Sequence, residues 1–384
     1  MPEPKPETAT GQARKTFLFH IGTPKTGTTS IQNALLRLSD DLALRGVHVP
    51  YDRSVYVPGF DKAKVAKGGA QSDGLCYFFD VRKRGPELSV DWAQEVSDFL
   101  AGEEAHTLVL SHESMSQQVS KLRVDLLMSL AAQADIRFLV YLRAPLSYLS
   151  SYCQQSIEGV GPPFPRRQDM GPVTRYLRAG YAGLLAPFGK YGQVDVRNFD
   201  RLRRDGRLVP DFFRALGVDD LDPQIDALGN LNSSGSRFSQ TCVLMALKRN
   251  GTPPREEWFA MRRIIRLAGM DLETPMTTSF LPASLGAKIS ARWEEDREVL
   301  LRRFGVSFDA VTGFKPGPEV LSFSADYAAA LQEAVASELS PDQQEWLTGA
   351  LAFADLDLEE VLPSATRKPR PPKGQNKHRQ TKPK

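Results

Sequence analysis

The sequence predicts an α/β fold: a three-layer sandwich with a central parallel sheet, plus a helical C-terminal part. Three observations predict it. Short apolar runs with polar ends alternate with segments of helical spacing through the first part of the chain. The first of those runs stops at a glycine loop that opens directly into a helix. Beyond residue 250 the apolar spacing is helical.

In chain order, Phe17-Leu18-Phe19-His20-Ile21 has the length and composition of a buried strand. Two glycines and a proline in Gly22-Thr23-Pro24-Lys25-Thr26-Gly27 exclude regular structure, and Ile31, Leu35, Leu38 and Leu42 then follow a helical period. Residues 46–89 are rich in Gly, Pro, Tyr and Lys without a sustained period, and are read as a long excursion walling the substrate side. A helix over 90–100 leads to the strand Thr107-Leu108-Val109-Leu110, which ends in Ser111-His112-Glu113-Ser114. A helix over 122–132 precedes the clearest strand, Ile136-Arg137-Phe138-Leu139-Val140-Tyr141-Leu142, closed by Arg143-Ala144-Pro145. Pro145 suits the first turn of the helix that follows. Next come a helix over 173–187, the strand Val194-Asp195-Val196-Arg197-Asn198-Phe199, and a helix over 209–216 closed by Gly217. Helical segments at 238–248, 256–267, 284–304, 326–337 and 341–351 complete the chain, the last with Ser340-Pro341 as N-cap and first turn. Residues 1–14 read as a disordered lead-in, 15–250 as the α/β domain with 46–89 inserted, 251–362 as a helical extension packed on it, and 363–384 as a disordered tail.

Composition narrows the function. At 41% hydrophobic and 25% charged, the 384 residues are those of a globular protein. No run reaches the roughly 18 apolar residues of a membrane helix, and the polar, proline-rich start has no signal-peptide core. Three distant cysteines without a C-x-x-C point to a reducing cytosol, hence a cytoplasmic protein. The eight Lys and Arg after residue 366 exceed the formal net charge of +3, so the body is left at −5. An acidic body argues against nucleic acid as a partner. Asp355-Leu356-Asp357-Leu358-Glu359-Glu360 lacks the glycine and spacing of a calcium loop, and no acidic metal cluster follows a strand.

In a parallel sheet, ligands lie across the carboxyl ends of the strands, which singles out Gly22, Ser111, Arg143 and Asn198. The spacing G-x-x-x-x-G matches the start of a Walker A loop, but Thr28-Thr29 stands where Lys-Ser/Thr would be, and the lysine lies inside the loop as Lys25. Lys25 therefore suits a shorter, diphosphate-like ligand better than a triphosphate with its metal. Arg143 ends one strand and Ser151 lies eight residues on, two helical turns later, so the pair can grip a second phosphate. The bland readings are an arginine paired with a core carboxylate and an ordinary helix serine. His20 reads as a packed strand residue.

Together, His20-Ile21-Gly22-Thr23-Pro24-Lys25-Thr26-Gly27-Thr28-Thr29-Ser30 and Tyr141-Leu142-Arg143-Ala144-Pro145 through Ser151 resemble the two nucleotide motifs of sulfotransferases that use 3′-phosphoadenosine 5′-phosphosulfate (PAPS), of bacterial type. The resemblance covers roughly residues 16–250. It implies a P-loop NTPase-like sulfotransferase fold and a 5′-phosphosulfate held by Thr23, Pro24, Lys25, Thr26, Gly27, Thr28 and Thr29, with Lys25 also catalytic. It implies a 3′-phosphate held by Arg143 and Ser151, PAPS as co-substrate and no metal. The R-K-G-x-x-G-x-W loop of cytosolic members is absent; Ser234 and Arg237, in Asn232-Ser233-Ser234-Gly235-Ser236-Arg237, stand at about its place and could close over the nucleotide. The general base would be Glu113, which is favoured, or His112. A carbohydrate hydroxyl is the expected acceptor, by loose analogy with S-x-E members and from Tyr51, Tyr56, Tyr77, Phe78 and Phe79 in the excursion. The rival readings are a small-molecule P-loop kinase and a non-catalytic nucleotide-binding protein of the same fold.

Overall fold

The structure, a computed structural model, describes residues 14–23, 25–50, 78, 91–112, 116, 119–159, 171–228, 238–250, 254–269, 272, 280–281, 283–309, 320–352 and 355–357. The sequence expectations for residues 1–13, for Pro24, for 51–77 and 79–90 with Phe79, for Glu113, for Ser234 and Arg237 and for 358–384 with the basic tail lie outside the described residues.

Five parallel strands form the central sheet: β1 (Thr16–His20), β2 (Val47–His48), β3 (Thr107–Ser111), β4 (Asp135–Leu142) and β5 (Gln193–Asn198). Their order is β2-β3-β1-β4-β5. The chain leaves β1 toward β3 and later returns past it to β4, so the strand order reverses at β1. Such a switch point opens a crevice at the carboxyl ends, directly below the residues after His20.

The apolar runs are continuous because both sheet faces are buried. Phe17, Phe19, Ile21, Phe138, Val140 and Leu142 enter one core, while Leu18, Val109, Leu139 and Tyr141 enter the other. The second core is covered by α1 (Thr28–Arg37) and α2 (Ser39–Ala43). The first core takes α3 (Trp92–Ala101), α4 (Val124–Gln133), α5 (Pro145–Glu158) and α6 (Gly171–Leu185). After β5, α7 (Phe199–Arg204), α8 (Leu208–Ala215) and α9 (Asp222–Ala227) return to the second core. The remaining helices join the first: α10 (Phe238–Asn250), α11 (Arg255–Gly269), α12 (Ala283–Phe304), α13 (Ala325–Val335) and α14 (Pro341–Leu351). Ser340 and Gln343 cap α14 reciprocally, as the Ser-Pro start suggests.

Three details depart from the sequence reading. Val47–His48, placed inside the aperiodic excursion, pairs with β3 as an edge strand. The C-terminal part is not wholly helical: β6 (Val320–Ser322) pairs antiparallel with β7 (Asp355–Asp357). The helix expected over 173–187 starts at Gly171 and breaks at Gly180, whose φ of 62° and ψ of 179° lie outside helical space. Among the described residues no helix is long and apolar enough to cross a membrane.

The C-terminal helices also hold the far end of α5. Lys248 Nζ donates to the Gly159 carbonyl at 2.5 Å, and Trp258 Nε1 and Arg262 Nη1 donate to the Glu158 carbonyl at 3.1 and 3.0 Å. Cations at the last carbonyls of a helix satisfy orphan acceptors and oppose the negative end of its dipole. The helix that carries Ser151 is thus fixed at its carboxyl end by a part of the chain remote in sequence.

Candidate functional site

The loop after β1 owes its shape to its glycines and threonines. Gly27 is the N-cap of α1 with φ 74° and makes no side-chain cap hydrogen bond, so the first amides of the helix have no side-chain acceptor at the cap. A Cβ on Gly27 would lie 2.3 Å from Leu208 Cδ2, and one on Gly22 would lie 2.7 Å from Thr28 Oγ1. Thr23 Oγ1 donates to the Tyr141 carbonyl at 2.9 Å, and Thr26 Oγ1 donates to the Thr23 carbonyl at 2.5 Å. The first bond ties the loop to the end of β4, and the second closes a turn within the loop. Thr28 is buried and its hydroxyl has no hydrogen-bond partner among the described residues. Lys25 and Thr29 are exposed, and Lys25 stands in the left-handed region at φ 67°. A lysine in that conformation is strained by roughly 1–2 kcal/mol.

Arg143 follows β4. Its Nη1 donates to Ser151 Oγ at 3.1 Å, the contact that the eight-residue step allows. The bland alternative holds as well, because Nε also lies 3.4 Å from Asp200 Oδ1. Asp200 accepts from the Ala144 amide at 2.8 Å, and Tyr181 donates its hydroxyl proton to the Arg143 carbonyl at 2.8 Å. Burial pushes the Arg143 pKa down and Asp200 raises it again; a guanidinium so placed keeps its charge. Side chain and backbone of Arg143 are therefore both held before any ligand arrives. Asp200, Tyr181 and the hydroxyl of Ser116, which donates to the Gly22 carbonyl at 3.0 Å, had no sequence signal beyond their residue type.

At the end of β3, Ser111 is fully buried and its Oγ lies 2.7 Å from His20 Nδ1. His20 is itself fully buried, packed edge-on to Tyr141 and Phe212. Desolvation brings its pKa down to about 3, so it stays neutral. His112 is half-buried, its amide donates to the His20 carbonyl at 3.1 Å, and burial lowers its pKa to about 4. A neutral imidazole at physiological pH can accept a proton, although a low pKa makes it a weak base.

The position of Tyr181 depends on a distant carboxylate. Asp296 of α12 is 2% exposed and accepts from the Tyr181 and Ala182 amides at 2.6 and 3.1 Å, the two donors freed by the break at Gly180. Asp296→Ala is expected to leave both buried amides without an acceptor and to lower the unfolding free energy by about 2–4 kcal/mol in urea titration. An effect below about 0.5 kcal/mol would mean that the kink is held by something else.

The described residues thus bring together Thr23, Lys25, Thr26, Gly27, Thr28 and Thr29 around one helix N-terminus, with Arg143 at the neighbouring strand end and Ser151 on α5 beside it. Among the described residues no three His, Cys, Asp or Glu side chains gather to hold a metal ion. No protein-family model matches the chain, and no curated protein matches it. Among solved structures, a sulfotransferase from Alicyclobacillus acidocaldarius is similar over 77% of this chain and 98% of its own, at 14% identity and a TM-score of 0.38. A likeness at that level adds nothing to the reading of the site, which rests on this chain's own residues.

Proposed function

We propose that this protein transfers a sulfuryl group from PAPS to an acceptor hydroxyl. The observation that carries the reading is the pairing of two anion sites on adjacent strand ends: the Gly22–Thr28 loop, and Arg143 hydrogen-bonded to Ser151. The first suits the 5′-phosphosulfate, which would meet loop amides, Thr28, Thr29 and Lys25. The second suits the 3′-phosphate. The residues fit such a ligand: the Thr28 hydroxyl is buried with no hydrogen-bond partner among the described residues, and glycine at 22 keeps clear the volume beside it. Pro24, Ser234 and Arg237 belong to the same proposed nucleotide site.

In the reaction the acceptor oxygen forms a bond to sulfur as the bond from sulfur to the 5′-phosphate oxygen breaks. The electron pair leaves with 3′-phosphoadenosine 5′-phosphate (PAP), and the acceptor proton passes to a base, Glu113 or His112. Lys25 would neutralise charge on the departing oxygen. No metal is needed, since the transferred group is SO₃. Glu113→Gln is expected to lose turnover and His112→Ala to keep it. The reverse result would make His112 the base.

For the acceptor, a carbohydrate remains the sequence-based proposal, with one support weakened. Phe78, the described aromatic of the excursion, is fully buried against Phe19 and Trp92 and is not available to stack on a sugar.

Calorimetric titration tests the donor. PAP is expected to bind at least tenfold more tightly than ATP. Equal or tighter binding of ATP would overturn the sulfotransferase reading in favour of a kinase. A protein that binds PAP but transfers sulfuryl to no member of a panel of glycans, phenols and lipids would be a non-catalytic binder.

A further inference from the structure

Next to the Arg143–Ser151 pair, the short helix α7 places a second guanidinium that the fold itself leaves unused. Phe199 and Asp200, the first two residues of α7, both address Arg143. The Arg143 guanidinium carbon stands 5.8 Å from the centre of the Phe199 ring, and its Nε lies 3.4 Å from Asp200 Oδ1. Arg203 follows four residues after the first and three after the second, so it rises from the same face of the helix. The other arginines of α7 are engaged elsewhere: Arg201 Nε and Arg204 Nε lie 3.9 and 3.8 Å from the carboxylate of Asp205. Arg203 is exposed, and its guanidinium has no hydrogen bond or ion pair among the described residues.

The electrostatics match that placement. Burial does most to lower the Arg143 pKa, Asp200 raises it, and Arg203 lowers it, as a like charge close by does. Two guanidiniums brought together with one carboxylate beside them repel each other, and an anion relieves the repulsion. The charge of the expected ligand leads to the same place. A phosphomonoester carries about −1.5 to −2 at pH 7. Arg143 supplies one positive charge, and Asp200 already offsets part of it. Arginine and serine alone therefore leave such a dianion unbalanced.

We propose that Arg203 is a specificity-determining residue of the nucleotide site: it closes from α7 on the 3′-phosphate beside Arg143, and makes the site select a doubly charged phosphomonoester over a bare 3′-hydroxyl. The proposal rests on the reading of Arg143 and Ser151 as a 3′-phosphate site, and adds the second cation that such a group calls for.

Calorimetry on the full chain with PAP and adenosine 5′-phosphate tests it, since the two differ in the 3′-phosphate. Arg203→Ala should weaken PAP about three- to tenfold, less than Arg143→Ala because an exposed cation gains less from an ion pair. It should change adenosine 5′-phosphate less than about twofold. Arg203→Lys should recover part of the loss, because it restores the charge without the planar fork. Without ligand, Arg203→Ala should unfold at the same urea concentration as the wild type or a higher one, since a like charge beside Arg143 is gone. In the complex, the ³¹P signal of the 3′-phosphate should titrate at a lower pH in the wild type than in Arg203→Ala, because a cation at the phosphate favours the dianion.

Unchanged PAP affinity in Arg203→Ala, equal losses for the two nucleotides, or the same phosphate titration in both proteins would overturn the proposal. A clear loss of stability without ligand would show that Arg203 serves the fold instead. A wild type that binds the two nucleotides equally has no second phosphate site, which overturns the proposal and leaves the reading of the Gly22–Thr28 loop in place. A wild type that binds neither overturns the sulfotransferase reading and the proposal with it.

Discussion

Replacing Lys25 by glycine is expected to stabilise the protein and abolish sulfuryl transfer at once. Lys25 occupies the left-handed region at φ 67°, where a side chain costs roughly 1–2 kcal/mol. Glycine removes that cost but adds about 0.4–1 kcal/mol of chain entropy to the unfolded state. The net gain should be about 0.5–1 kcal/mol by urea denaturation without ligand. Lys25→Ala is the control: it removes the ammonium and keeps the strain, so it should be equally inactive without the gain in stability. Turnover retained in Lys25→Gly would remove lysine from the catalytic role. A glycine variant less stable than the alanine one would show that the loop backbone is relaxed.

Arg143→Ala should weaken PAP about 10- to 100-fold while changing the affinity for adenosine 5′-phosphate less than about twofold. The range follows from about 1.5–3 kcal/mol for charge-assisted hydrogen bonds to a phosphate. The fold should survive, because Asp200 is 37% exposed, so water can replace the guanidinium, and it still accepts from the Ala144 amide. Calorimetry with the two nucleotides makes the test specific, because they differ only in the 3′-phosphate. Equal losses for both would mean that Arg143 shapes the site without touching that group.

What the sequence made legible was local or periodic. β1, β3 and β4 are buried on both faces, which writes them as unbroken apolar runs. The loop glycines announce a turn because position 27 needs a left-handed φ and position 22 has no room for a Cβ. The step from Arg143 to Ser151 is short enough for helical geometry alone to bring them together. The rest was hidden because partner choice over long separations has no periodic signature. Asp200 reaches back 56 residues to the Ala144 amide, and Ser116 reaches back 94 to the Gly22 carbonyl. Val47–His48 is too short to show alternation. The His20 ring reads correctly as packed, yet nothing nearby in the sequence points to Ser111, 91 residues on, as its partner.

The clasp between Asp296 and the broken helix α6 has a consequence for how the protein is made. Tyr181 and Asp296 are 115 residues apart, so a ribosome adding about 5–20 residues per second synthesises the carboxylate roughly 6–23 s after the amide it must receive. During that interval the Gly22–Thr28 loop and the Arg143–Ser151 pair are already synthesised, but the amides at the break in α6 have no acceptor. The nascent chain passes through a stage with those residues in hand and Tyr181 still without Trp293 of α12, against which it packs in the finished fold, a stage at which a chaperone has something to hold.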